Sequence, residues 1–376
     1  MSALAHAPGE HPDLPPPPEH AGLLAQIRRH LFSGPIDTAL TILAAVVVVT
    51  VVPPILGWSV FDAKWIGAGP QDCPPASQGA CWIIVGAWLR GLAVGFYPQA
   101  ELWRPALALF VVAAALVPLF ARRLPRRRLW LGLALAAPFL CFGLLYGGLG
   151  LSVVPTPNWG GLLLTLVVGL SGIAAALPIG IVLALGRRSS LPVVRILATV
   201  MIEVPRGVPL ITLLFMASVM LPLFLPSGVE LDKLVRALLV ISLFEGAYMA
   251  EVVRGGLQAI PKGQREAAEA LGLGYWPTQL LIILPQALRL VIPGIVNSYI
   301  GLFKDTTLVS IIGLFDLLGM ADAALKDPAW LGRPGSFFLE IYAVVALVFF
   351  ICCFAMSRVS LRLEKRLAHG VEGARA

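Results

Sequence analysis

The chain has 376 residues, 58% of them hydrophobic and 13% charged, and its mean hydropathy of +0.86 excludes an ordinary water-soluble globule. The net charge of +7 is local rather than global. Most Lys and Arg cluster beside apolar runs, as membrane topology requires, so the charge is no mark of nucleic-acid binding.

Residues 1–35 open with a stretch rich in Pro, His and acid, including Pro15 to Pro18 in a row. It lacks a basic region followed directly by an apolar one, so it reads as a disordered cytosolic tail and not as a cleavable signal peptide. Eight apolar spans then fit the pattern, since a bilayer core needs about 20 residues per helix. The first is Ile36–Trp58, after Arg28-Arg29, and the second is Pro105–Ala121, which ends at Arg122, Arg123, Arg126, Arg127 and Arg128. The third is Leu129–Gly150, and the fourth, Trp159–Gly186, stops at Arg187-Arg188. The others are Ile196–Leu225, Leu234–Val253, Leu288–Phe303 and Phe337–Met356, the last followed by Arg358, Arg362, Lys365 and Arg366. With both termini in the cytosol, every basic cluster falls on that side.

Trp82–Tyr97 is apolar but has only 16 residues and contains Arg90. It is expected to be an interfacial or re-entrant helix within a large outer loop, 59–104. That loop holds Cys73 and Cys81, and two readings stand: a disulfide in an oxidising compartment, or two free thiols. Gly169, Gly172, Ala176 and Gly180 form a small-residue face on the fourth span, suited to close helix packing in lipid.

All five histidines (His6, His11, His20, His30 and His369) lie in the tails. That removes a His-ligated metal centre and Ser-His or Cys-His catalysis from the apolar body. No G-x-x-x-x-G-K-[ST] loop occurs, so any ATP must be bound by a partner.

A polar island, residues 261–285, separates the sixth and seventh spans. Pro261 suits a helix start, Gly272 a left-handed stop, and a second short helix is expected from Trp276 to Pro285. Ala267 and Ala268 are small enough to seat the first helix in a groove of another protein, with Arg265 and Glu266 at the rim. The spacing Gly263, Glu266-Ala267-Ala268, Gly272, Ile282-x-Leu284-Pro285 resembles the EAA signature of ABC-importer permeases. Further stretches are similar to permeases of the polar amino acid uptake family: Gly160-Gly161-Leu162 with Thr165-Leu166, Arg206-Gly207-Val208-Pro209-Leu210, Ala247 to Gly256, and Lys304 to Val309. The likeness runs from about Trp159 to Leu367. Three extra N-terminal spans make the chain most like the M-type permease subunit of general L-amino-acid transporters.

That resemblance implies an all-α, polytopic helical membrane protein of about eight transmembrane helices: a type I ABC importer permease core of five helices plus three N-terminal helices. The permease domain would cover 156–368, with its coupling loop at 255–287, and the added helices 36–150. It implies a bacterial inner-membrane subunit, not itself an enzyme, that imports L-amino acids by alternating access. The implied partners are a second permease of different sequence, two cytosolic ATPases carrying ATP and Mg, a periplasmic amino-acid-binding protein and the lipid bilayer; nucleic acid is not among them. The alternative is an ATP-independent secondary transporter or channel, which would show paired inverted repeats.

Polar side chains in apolar spans are costly, so those present are pathway or substrate candidates. They are Glu203 and Arg206, Glu245, Tyr248 and Glu251, and Asn297, Lys304, Asp305, Thr306 and Thr307. Glu203 and Arg206 are three apart, so an intrahelical ion pair is the competing reading. Glu245 with Lys304 or Arg206 would match an amino acid's two charges. Asp305 is either part of an outer gate with Lys304 or a cap for the segment from Thr306. The acids of 315–334 are expected on an outer surface that meets the binding protein.

Overall fold

The computed structural model describes residues 27, 30–73, 75, 78–120, 127–148, 150–226, 228–330 and 337–372. Most of the expected N-terminal tail and Arg122, Arg123 and Arg126 of the arginine cluster lie outside the described residues. The described residues are all-α, with isolated bridges but no strand. They fall into two compact units, Met1–Trp82 and Ile83–Ala376.

The first unit is built on α1 (Pro35–Leu56), started by Pro35 in its first turn, where a missing N–H costs nothing. None of its residues is buried, and its composition is apolar all round. A π-turn, Gly57–Phe61, leads into the loop. There Lys64 donates its N–H to Ala80 O at 2.8 Å, Trp65 stacks on Trp82 at 5.4 Å, and Cys73 is disulfide-bonded to Cys81. Of the two sequence readings, the bonded one is realised. Closing so short a loop constrains the unfolded chain by about 2.5 kcal/mol. Reduction, or the Cys73→Ser/Cys81→Ser pair, is therefore expected to speed tryptic cleavage after Lys64 at least about tenfold; an unchanged cleavage rate would contradict the staple.

The second unit begins with α2 (Ile83–Val94), whose 12 residues span only about 18 Å and cannot cross a bilayer. It packs against α5 (Gly161–Arg187) and α12 (Leu317–Leu325). Next come α3 (Trp103–Phe120) and α4 (Arg127–Tyr146), a packed hairpin. Arg104 staples its far end: 1% exposed, it donates to Ser152 O at 2.7 Å and Ser152 Oγ at 2.9 Å and pairs with Glu101 at 2.9 Å.

The core of this unit is α5 against α8 (Lys233–Ala259). The small face of α5 is buried as its composition predicts. A Cβ on Gly180 would lie 2.7 Å from Met249 Cβ, so only hydrogen lets these backbones approach. Two spans are sharply bent. Between α6 (Pro192–Gly207) and α7 (Leu210–Phe224) the chain turns by 105°, at the Gly207-Val208-Pro209 break. The second bend, 65°, falls between α10 (Tyr275–Leu290) and α11 (Ile292–Asp305). The seventh span therefore does not begin at Leu288: the helix runs on to Leu290, and Pro293 in the first turn of α11 fixes the restart. Then come a tight turn, Thr306–Ile312, α12, and α13 (Phe338–Glu372).

By length and composition four helices can cross a membrane, or six if each bent pair is one span, among the described residues. The other two of the eight expected spans are α4 and α8. Helix α8 has the length, but every 18-residue stretch of it carries three charged residues, and these are functionally the most interesting.

The acids of 315–334 are not the bare outer surface expected. Asp316 is fully buried and caps α12 through the N–H groups of Gly319 (2.9 Å) and Leu318 (3.4 Å). Burial outweighs those donors and pushes its carboxyl up to about 7. Asp322 accepts the Tyr342 hydroxyl at 2.6 Å and Asp327 the Trp88 indole N–H at 3.1 Å. These three side chains are used inside the fold.

Candidate coupling segment and polar clusters

The island folds as helix, turn and helix. Its first helix, α9 (Lys262–Ala270), follows Pro261, which sits one position ahead of the helix rather than inside it. Gly272, at φ +76°, ends it. Leu273 N–H reaches Ala268 O at 3.0 Å and Gly272 N–H reaches Glu269 O at 2.9 Å, the paired bonds of a Schellman stop, which only glycine enters without strain. Helix α10 then folds back, and Gln286 Nε2 donates to Gln264 Oε1 at 3.1 Å across the two.

The signature residues divide in two. Gly263, Glu266 and Ala267 are exposed, as is Pro285. Ala268 is only 1% exposed, against α10 of the same chain, so it seats the island internally and not in a partner's groove. Ile282 is half-buried, and Leu284 is buried in a core with Ala184, Ile202, Met249 and Val253. The outward surface also carries Leu271, Trp276 and Leu281, an apolar set unusual for a polar loop.

Behind the island, α8 is tightly held. A Cβ on Gly256 would lie 2.7 Å from Ala287 O, so the last turns of α8 touch the α10 backbone.

The polar candidates separate into two groups. Glu203, Arg206, Tyr248 and Glu251 come together near the island end of the helices, joined by Arg187 and Arg254. Glu251 Oε1 accepts from Arg187 Nη1 at 2.7 Å, and Oε2 from Arg254 Nη2 at 2.6 Å and Nε at 2.8 Å. Arg187 Nη2 also pairs with Glu203 at 2.8 Å. Arg206 stands farther off, 3.7 Å from Glu203 and 3.6 Å from Glu251, with its guanidinium over the Tyr248 ring at 5.7 Å. The intrahelical Glu203–Arg206 contact is thus the weakest link of a network that ties three helices. Arg187, which the sequence offered only as a topology marker, is its bridge; nothing in the sequence pairs positions 187 and 251.

Glu245 lies about 9 Å away, six residues back along α8. It is 5% exposed, and its Oε1 has no hydrogen-bond partner. Among the described residues no ion pair joins it to Lys304 or Arg206. Lys304 is exposed, Asn297 is exposed, and Asp305 makes no side-chain cap to the following turn. Thr306 is fully buried, its hydroxyl donating to Phe303 O at 2.7 Å, and Thr307 donates to Lys304 O at 2.8 Å. Both hydroxyls are engaged by their own helix turn. An apolar cavity of about 380 Å³ opens between α7 and α8, lined by Pro205, Leu213, Met216, Met220, Val240 and Phe244 among others. None of the polar candidates lines it.

Comparison with known proteins identifies the architecture. Residues 176–369 match the family model described as binding-protein-dependent transport system inner membrane component. The chain is 50% identical over 362 residues to the inner membrane amino-acid ABC transporter permease protein YhdY of Escherichia coli, covering 96% of this chain and 97% of that protein. It is 38% identical over 419 aligned positions to the glutamate/glutamine/aspartate/asparagine transport system permease protein BztC of Rhodobacter capsulatus, covering 94% and 95%. A shorter relative, the probable glutamine ABC transporter permease protein GlnP of Bacillus subtilis, is 35% identical over 55% of this chain and 92% of its own length. This multi-pass chain belongs to the family of binding-protein-dependent transport system inner membrane components, whose members are permease subunits of ABC transporters.

Proposed function

We propose that the chain is the permease subunit of an ATP-driven importer of L-amino acids, carrying them into the cytoplasm across a bacterial inner membrane by alternating access. The observation that carries this reading is the end-to-end likeness to an amino-acid permease, 50% identical over 96% of the chain. The exposed Glu266 and Ala267 of α9 support it as the docking face for a separate ATPase, which binds ATP and Mg while this chain binds neither. The partners are two such ATPases, an amino-acid-binding protein on the far side and a second permease of different sequence. Both termini lie in the cytoplasm. Residues 36–150 form an added helical module and 156–368 the transporting one. In that module Glu245, Asn297, Lys304, Asp305, Thr306 and Thr307 border the pathway, with Glu245 the strongest candidate because a buried carboxyl oxygen is left without a partner. No observation favours the ATP-independent alternative.

Purification under mild solubilisation tests the assembly. The tagged chain is expected to elute with an ATPase at two copies per pair of permeases and with a second permease chain. Elution of the chain alone, with transport that ignores ATP, contradicts the reading.

A further inference from the structure

The last turns of α8 are gripped on two sides. On one, Gly256 touches the backbone of α10 at a spacing that admits no side chain. On the other, Glu251 holds Arg187 of α5 and Arg254 of its own helix, with Arg206 of α6 within 3.6 Å. Arg187 passes the link on to Glu203 of α6 at 2.8 Å. Helix α8 also leads directly into the island, through Ile260 and Pro261. A displacement of the island thus meets a close backbone contact first and a carboxylate with arginine partners second.

Resting on the permease reading above, we propose that Glu251 is a positioning residue: it transmits island movement to α5 and α6, so that the three helices move as one when the ATPases close. The chemistry suits this role. Glu251 is 18% exposed, while its partners Arg187 and Arg206 are 29% and 32% exposed, so the cluster is neither dry nor freely solvated. Its carboxylate oxygens are both occupied by short, charge-assisted bonds, which are the stronger and more directional kind. Arg187 bridges two carboxylates with its two terminal nitrogens, a geometry that a lysine cannot reproduce. Directional bonds of this kind are either made or broken, and coupling between distant sites needs elements with discrete arrangements. Merely stapling the fold would not demand that the bridging carboxylate sit on the helix that carries the island.

The test uses the whole complex, with ATPases and binding protein, in proteoliposomes supplied with a labelled mixture of L-amino acids. The readout is amino acid taken up per ATP hydrolysed. Glu251→Gln is expected to lower that ratio about tenfold, and Glu251→Asp to recover at least half of it. A Gln variant that keeps the wild-type ratio, whatever its absolute rate, overturns the proposal; so does a loss that Asp fails to relieve. Should the Gln variant not assemble, Arg187→Gln cuts the α5 link while leaving Glu251 with Arg254. It must lower the same ratio, and a wild-type ratio there also overturns the proposal. Absence of ATP-driven uptake by the wild-type complex would instead sink the permease reading, and the proposal with it.

Discussion

Glu266→Arg is expected to cut ATP-driven uptake about a hundredfold, the equivalent of about 2.8 kcal/mol lost when a charged rim contact is reversed. The side chain is exposed at the middle of α9, and no hydrogen bond or ion pair engages it among the described residues. The substitution therefore leaves α9, its Gly272 stop and the buried Ala268 intact. Membrane yield and detergent melting temperature are expected to stay at wild-type values while the ATPase no longer co-purifies. Uptake unchanged with the ATPase retained would mean that α9 is not the docking face.

The second large effect is expected at Gly256. A Cβ there would fall 2.7 Å from Ala287 O and 2.9 Å from Val291 Cγ1. Neither can yield cheaply, because the first is backbone inside α10 and the second stands at the α10–α11 bend. Gly256→Val should wedge α8 from α10 and destabilise the fold by about 2–3 kcal/mol. Unfolding in detergent followed by circular dichroism checks this. Gly255 is the control, since nothing lies within 4 Å of a Cβ built there. Gly255→Ala should hold or slightly raise stability, because Ala is the better helix former, and equal loss in both variants would show that the close approach at Gly256 is not responsible.

The sequence carried the coupling segment almost whole. Its punctuation is local: a proline ahead of α9, a glycine after it, and a proline near the end of the return. Such signals act over a few residues and survive without knowledge of the fold. The small face of α5 was legible for the same reason, since helical spacing alone aligns Gly169 to Gly180. The 105° bend lies between Pro205 and Leu210, where Pro205 and Pro209 both disfavour a continuous helix. The 65° bend had its own signal in Pro293, but the apolar run across Leu288–Phe303 masked it.

Residue pairing was not legible. Arg187 and Glu251 meet across 64 positions, and a basic residue at a helix end has an ordinary explanation in topology. Glu203, Arg206 and Glu251 therefore stood as pathway candidates, with a Glu203–Arg206 ion pair as the competing reading, and their meeting with one another and with two further arginines was not foreseen. Ala268 likewise looked like a contact for a partner, because a small residue permits close approach without saying to what. The same ambiguity hid the buried roles of Asp316, Asp322 and Asp327: an acid in a weakly apolar segment looks exposed until the helix that covers it is known.

Uptake by the reconstituted complex tests the central claim most directly. With binding protein outside and ATP inside proteoliposomes, labelled L-amino acids are expected to accumulate against their gradient, and accumulation should stop when the nucleotide is withheld or cannot be hydrolysed. Accumulation of equal extent without ATP would contradict an importer driven through this chain.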